Sequence, residues 1–153
     1  MRKILKRKKS VLVFGDFDVL HPGHLHFLRS AKSMGDSLTV IVTRSRVIKK
    51  LKDRAPLFDD AHRLEVIRSL SFVDAALLGD AIVGSFTVLA RINPDIICIG
   101  HDQEQFAVAL RHWLHAQSMN TRLVSISAYN PKTYKSGIVK KFIEGEGCLR
   151  CRI

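Results

Sequence analysis

The segment Phe14-Gly-Asp-Phe-Asp-Val-Leu-His-Pro-Gly-His24 decides the fold. Val11–Phe14, at its start, is a strand-sized apolar run. From Gly23 to Met34, Leu25, Leu28 and Ala31 fall on one face at helical spacing. The segment is therefore the turn between a strand and a helix. His21 and His24 flank Pro22 and Gly23 where that helix opens. A helix N-terminus offers free N–H groups and the positive end of the helix dipole, which suits a phosphate. Both imidazoles can donate to the same phosphate, and Gly15 and Gly23 let the backbone approach a bulky anion. A His-x-x-His pair also fits two metal ligands or a structural cap. The flanking pattern, a strand and then Gly-x-Phe-Asp, favours the phosphate.

Outward from this turn the chain alternates. Ser37–Thr43 reads as a strand, Asp59–Leu70 as a helix capped by Asp59 or Asp60, and Val73–Leu78 as a short strand. Asp80–Arg91 reads as a helix, Asp95–Ile99 as a buried strand, Gln103–Gln117 as a helix, Arg122–Ile126 as a strand, and Ser136–Glu144 as a last helix. Arg44–Phe58, with many positive charges and Pro56, reads as a loop. Strands separated by helices predict an α/β fold, a parallel sheet with helices on both faces. In such sheets ligands bind beyond the carboxyl ends of the strands, so chemistry belongs to the loops after Phe14, Thr43, Ile99 and Ile126.

The 153 residues make about one domain, 46% hydrophobic and 25% charged, which excludes global disorder. No apolar run approaches a membrane span, and the first residues hold no stretch that would serve as a secretion signal, so the cytosol is the expected compartment. The net charge is +11, and six of the positives lie in residues 1–10, leaving +5 for the rest. This predicts a basic flexible arm over 1–10, a domain over 11–144 and a tail over 145–153. An anionic partner is implied, but charge alone does not choose among nucleic acid, an acidic membrane and a phosphorylated small molecule. The arm lacks the interleaved aromatics of a nucleic-acid binder and reads first as a solvated segment.

The Phe14–His24 segment resembles the signature of the cytidylyltransferase-like nucleotidyltransferases: Gly-Thr-Phe-Asp, a few residues, then His-x-Gly-His. Arg63-Leu-Glu-Val-Ile-Arg-Ser-Leu with Val73-Asp74 and Leu78-Gly79-Asp80, Pro94-Asp-Ile-Ile-Cys-Ile-Gly-His-Asp-Gln103, and Tyr134-Lys-Ser-Gly-Ile-Val extend the resemblance over residues 11–144. Gly-x-Asp-Gln after the fourth strand and Tyr-Lys-Ser before the last helix are similar to the archaeal-type FAD synthetases. Glycerol-3-phosphate cytidylyltransferases share the plan and differ at those two places. The resemblance implies a single Rossmann-like domain with a five-stranded parallel sheet. It also implies nucleotidyl transfer, from ATP to FMN to give FAD, with CTP and a small alcohol phosphate as the alternative pair, and a homodimer. A nucleotide-binding regulator without turnover is a further alternative.

In that reaction a substrate phosphate oxygen attacks the α-phosphorus of a nucleoside triphosphate and pyrophosphate leaves. The attacking phosphate is already ionised, so positioning and charge neutralisation do most of the work. The resemblance implies that His21 and His24 contact the triphosphate, and that Phe14, Gly15 and Phe17 lie close to the nucleotide. It also implies that Lys49, Lys50 or Lys52 neutralises phosphate charge, with a solvated charged loop as the other reading of the run. Arg63 reaches the phosphates or pairs with a local carboxylate. Gly100, Asp102 and Gln103 border the ribose, base or acceptor, and Asp102 can equally cap a helix. Ser136 would touch the β- and γ-phosphates with Lys135 adding charge, and Tyr129 or Tyr134 would stack on a ring or simply pack. Mg²⁺ would arrive on the phosphates, since no dedicated carboxylate cage is visible. Asp18 reads as ordering the loop rather than reacting.

One position departs from the family. Asp16 stands where Thr or Ser is usual, beside the phosphates, and a carboxylate there repels a triphosphate unless Mg²⁺ or a lysine compensates. Other chemistry-bearing residues read blandly. Cys148-Leu-Arg-Cys151 is half a zinc site and reads as a tail, Cys98 reads as core, and His101, His112 and His115 read as a solvated or packed face rather than metal ligands.

Overall fold

Val11, Leu12 and Val13, then Leu38, Val40, Ile41 and Val42, then Ile96–Ile99, are all at most 4% exposed. Strands buried on both faces belong inside a parallel sheet. The computed structural model describes residues 7–130, 132–134 and 136–143. Its elements are β1 (Ser10–Gly15), α1 (Pro22–Lys32), β2 (Ser37–Val42), α2 (Ser45–Lys52), α3 (Asp60–Arg68) and β3 (Ala75–Leu78). α4 (Thr87–Ile92), β4 (Ile96–Gly100), α5 (Glu104–Ala116), β5 (Arg122–Ile126) and α6 (Ser136–Ile143) follow.

The five strands are all parallel, in the order β3-β2-β1-β4-β5. The α/β architecture expected from the alternation is the one observed. Side-chain period two splits the core. Val11, Val13, Ile96 and Cys98 pack with Leu28 and Ala31 of α1 and Ile67 of α3. Leu12, Ile97 and Ile99 pack on the opposite face with Leu89 of α4 and Leu110 and Leu114 of α5. The order reverses at β1, because β2 and β3 lie to one side of it and β4 and β5 to the other. The crevice at the carboxyl ends of β1 and β4 is where such a sheet takes its ligand.

Two elements differ from the sequence expectation. The loop predicted over Arg44–Phe58 contains α2. Val47 and Ile48 are buried, with Leu51 one turn on, and Lys49, Lys50 and Lys52 sit in the last turn, where positive charge favours a helix. The basic run thus caps a helix electrostatically instead of breaking it, and Pro56 falls beyond its end at Asp53. The helix predicted from Asp80 begins only at Thr87. Gly84 (φ +75°) and Phe86 (φ +48°) are left-handed, which interrupts any helix before them. Asp80 instead reaches forward and accepts from Thr87 Oγ1 at 2.5 Å and from the Val88 N–H at 3.3 Å.

Of the basic arm, Arg7–Lys9 are exposed yet tethered: Arg7 pairs with Asp95 at 2.7 Å, and the Lys9 N–H donates to Asp36 at 2.7 Å. Residues 1–6 and the Cys148–Cys151 pair lie outside the described residues. Cys98 is buried among the core side chains, and burial pushes its thiol up to about 11. Among the described residues no helix is long and apolar enough to cross a membrane.

Candidate active site

The turn after β1 is built around Gly15. A Cβ there would lie 2.5 Å from the Phe17 ring, so only glycine lets that ring fold back beneath the strand end. Phe17 takes a left-handed conformation (φ +49°), is buried, and meets His24 edge-on at 5.5 Å. The two imidazoles come together: His21 and His24 stack with centroids 3.9 Å apart and planes 26° from parallel.

His21 is the N-cap of α1, its Nδ1 accepting the Gly23 N–H at 3.1 Å. This corrects one expectation about the helix N-terminus. Pro22 has no N–H, that of Gly23 is taken by His21 Nδ1, and that of His24 by the His21 carbonyl at 2.9 Å. The first-turn amides are used internally, so the site offers imidazole donors and the helix dipole instead. With Nδ1 accepting, neutral His21 carries its proton on Nε2 as a donor. The cap and phosphate readings of His21 are thus compatible.

Both rings are neutral at pH 7. Burial lowers His21. Burial and the neighbouring His21 bring His24 down to about 4, against the opposing pull of Asp16, Asp102 and the Val19 backbone. Nδ1 of His24 is buried without a hydrogen-bond partner among the described residues.

The imidazoles open onto a cavity of about 1140 Å³. It gathers most of the sequence-predicted residues: Phe14, Gly15, Asp16, Phe17, His21, His24, Gly100, Asp102, Gln103 and Tyr129 all line it. On the β4–β5 side stand the loop Gly100–Gln105, Ser127–Tyr129, and Gly137, Ile138 and Lys141 of α6. On the β2–β3 side stand Thr43, Val47, Leu51, Lys52 and Arg54, then Gly79, Asp80, Ile82, Val83 and Gly84.

Several side chains are placed differently from the reading of the sequence. Lys49 and Lys50 are exposed and do not line the cavity, whereas Lys52 does and pairs with Asp16 at 2.6 Å. On α2, Lys52 lies one turn beyond Ile48 and a single residue from Leu51, on the cavity side. Arg63 is 1% exposed and away from the cavity lining. Its Nε donates to the Phe58 carbonyl at 3.0 Å, and its two terminal nitrogens to the Asp16 and Thr43 carbonyls (2.7 Å each), Ser45 Oγ (3.1 Å) and Asp60 (2.7 Å). All five guanidinium donors are used, so Arg63 holds the backbone under Asp16. Of its two readings, the structure shows the local carboxylate.

Asp102 caps no helix through its side chain: the N-cap of α5 is Gln103, without a side-chain cap bond. Gln103 Oε1 accepts the Gly100 N–H at 2.8 Å, which shapes the turn after β4. Tyr129 stacks on His26 (5.3 Å) and on Tyr134 (5.9 Å), and both tyrosines line the cavity. Ser136 opens α6, while its side chain and Lys135 lie outside the described residues. Asp18 orders the loop: it accepts the N–H groups of Leu57 and Phe58 at 2.9 Å each and pairs with buried Lys140.

The sequence did not flag Leu51, Arg54, Ile82, Val83, Phe106 or Lys141 as lining. For Lys141 a signal existed, since Gly137, Ile138 and Lys141 repeat at one helical turn; for Ile82 and Val83, expected inside a helix, there was none. No group of three His, Cys, Asp or Glu among the described residues is arranged to hold a metal.

A strand, a tight glycine turn and two stacked imidazoles at the head of a helix, at the point where the sheet order reverses, define a nucleotide-handling Rossmann-like site. Residues 12–142 match the cytidylyltransferase-like family, and the chain belongs to it as a nucleotidyltransferase. Among its relatives, the FAD synthase of Thermococcus sibiricus is 38% identical over 135 residues, 88% of each chain. That of Thermoplasma acidophilum is 38% identical over 133 residues, 87% of this chain and 92% of its own. Among solved structures, the lipopolysaccharide core biosynthesis protein of Thermoplasma volcanium superposes with a TM-score of 0.75 at 33% identity, over 80% of this chain and 99% of its own. Pantoate-beta-alanine ligase of Francisella tularensis, at TM-score 0.57 and 14% identity over 97% of this chain and 74% of its own, shares the fold.

Proposed function

We propose that the chain transfers the adenylyl group of ATP to FMN. A phosphate oxygen of FMN forms a bond to the α-phosphorus, the bond from that phosphorus to the bridging oxygen breaks, and pyrophosphate carries the electron pair away. FAD and pyrophosphate are the products. The FAD synthase relatives support the substrate pair.

The observation that carries the reading is the asymmetry of the cavity around the imidazoles. Its β2–β3 side presents Leu51 and Ile82, 60% and 72% exposed, together with Val83. Exposed aliphatic side chains at a cavity wall gain by covering a flat apolar ring such as isoalloxazine; a glycerol phosphate has no such surface to offer. The β4–β5 side, with Asp102 and Gln103, is left for the nucleotide.

His21 and His24 donate to the triphosphate and steady the charge that develops at the α-phosphorus. The gathered anion favours their protonated forms, which burial disfavours. A divalent cation enters with the triphosphate as part of the substrate and shields its charge. Asp16, Asp80, Asp102 and Glu104 are carboxylates that line the cavity. By resemblance to the family the working unit is a homodimer in the cytoplasm.

Pyrophosphate release from ATP or CTP, offered with FMN, glycerol 3-phosphate, phosphocholine or phosphopantetheine, tests this. Release is expected with ATP and FMN and lost in His24→Ala. Release with CTP and glycerol 3-phosphate instead would make the chain a cytidylyltransferase.

A further inference from the structure

The cavity of this chain holds an ion pair at its mouth. Lys52 Nζ lies 2.6 Å from Asp16 Oδ2, and both residues line the cavity. Asp16 belongs to the turn after β1, next to the Phe17 that packs on His24. The backbone carbonyl of Asp16 is fixed by Arg63, so the main chain there is anchored while the carboxylate is 26% exposed. Lys52 occupies the last residue of α2, its side chain 50% exposed. Lys52 is therefore paired with a carboxylate that lines the same cavity.

We propose that Asp16 is a positioning residue that holds Lys52 as an exchangeable counter-ion, so that a polyphosphate binds by taking Lys52 away from Asp16. The idea rests on the nucleotidyltransferase reading for its natural ligand, but the exchange itself requires only a multiply charged phosphate. Its consequence is selectivity. Chloride or a single phosphate carries too little charge to displace a carboxylate 2.6 Å from the ammonium, whereas a triphosphate replaces that contact with several. The Asp16–Lys52 pair thus filters anions by charge.

A double-mutant cycle on the full chain separates exchange from simple repulsion. The variants are Asp16→Asn, Lys52→Met and the two together, and calorimetry measures the binding of inorganic tripolyphosphate, ATP and FMN. If Lys52 leaves Asp16 on binding, Asp16→Asn removes both the repulsion and the competing contact when Lys52 is present, and only the repulsion when it is absent. Asp16→Asn is then expected to tighten tripolyphosphate by about tenfold in the Lys52 background and by about threefold or less beside Lys52→Met, a spread within that of an exposed ion pair. A structural role for Asp16 would weaken binding in both backgrounds. Equal gains in the two backgrounds mean that the pair survives in the complex and overturn the proposal. The ATP and FMN arms tell which substrate performs the exchange. If tripolyphosphate follows the cycle while neither ATP nor FMN binds any variant, the latch stands and the adenylyl-transfer reading falls.

Discussion

Asp18, in the turn after β1, and Lys140, in the last helix, form a buried ion pair that joins the two ends of the described chain across the active-site edge. Both residues are below 8% exposed. The same carboxylate accepts the N–H groups of Leu57 and Phe58, so one side chain fixes the loop before α3 and the placement of α6. Lys140→Met would leave a buried carboxylate without its cation, a change that costs about 3–5 kcal/mol in comparable cases. Urea denaturation should show that loss, and the KM for ATP should rise with it, because Gly137, Ile138 and Lys141 of the same helix line the cavity. Burial pushes the Asp18 carboxyl up, but the Lys140 hydrogen bond and the Phe58 and Leu57 amides outweigh it and hold it below the usual carboxylate range. Its stabilising contribution is therefore complete above about pH 4 and lost as the pH falls through the lowered value.

Burial brings His24 down to about 4, and a bound triphosphate should raise that value. Binding near pH 6 is then expected to take up a proton, and affinity should fall as the pH rises. Calorimetry in buffers of different ionisation enthalpy measures the uptake, and imidazole NMR assigns it. Absence of uptake would place the phosphates away from His24. The same depression bears on folding: an unfolded imidazole takes a proton near 6.5 that the folded one refuses. Stability should decline between pH 6.5 and 4, by at most about 3 kcal/mol.

Arg63→Lys is expected to behave as a severe substitution. A single ammonium cannot reach the Phe58, Asp16 and Thr43 carbonyls, Ser45 and Asp60 at once. Each buried acceptor left unpaired costs about 1–3 kcal/mol, so a drop of about 3 kcal/mol or more is expected in denaturant unfolding. Retained stability with lost turnover would argue for direct phosphate contact instead.

Gly15→Ala should lower both stability and activity, since the new Cβ meets the Phe17 ring at 2.5 Å and the ring in turn supports His24. Overpacking of this kind costs about 1–3 kcal/mol. Phe17→Leu introduced alongside should recover stability more than activity, which thermal melting and turnover would separate.

Ile82→Asp tests the apolar wall. Ile82 is 72% exposed, so the fold should tolerate the change. Withdrawing about 60 Å² of apolar contact from an aromatic acceptor is worth about 1.5 kcal/mol, so the KM for FMN should rise about tenfold with the KM for ATP unchanged. A rise in the KM for ATP alone would put the nucleotide on this side.

The sequence by itself determined the layered sheet and the position of the site. Runs such as Val11-Leu-Val and Ile96-Ile-Cys-Ile bury both faces, and that pattern is local and periodic. The Phe14–His24 segment was legible for the same reason, because a turn, its glycines and its helix cap are set by residues adjacent in the chain. What only the tertiary structure decided are the partnerships between segments far apart. Lys52, and not Lys49 or Lys50, turns to the cavity because Val47 and Ile48 fix which face of α2 is buried. Arg63 became a buried strut because the Asp16, Thr43 and Phe58 carbonyls converge on it from three loops. Spacing along a chain fixes which residues share a face; which charges then meet depends on how the faces pack, and that geometry gave Asp16 its lysine.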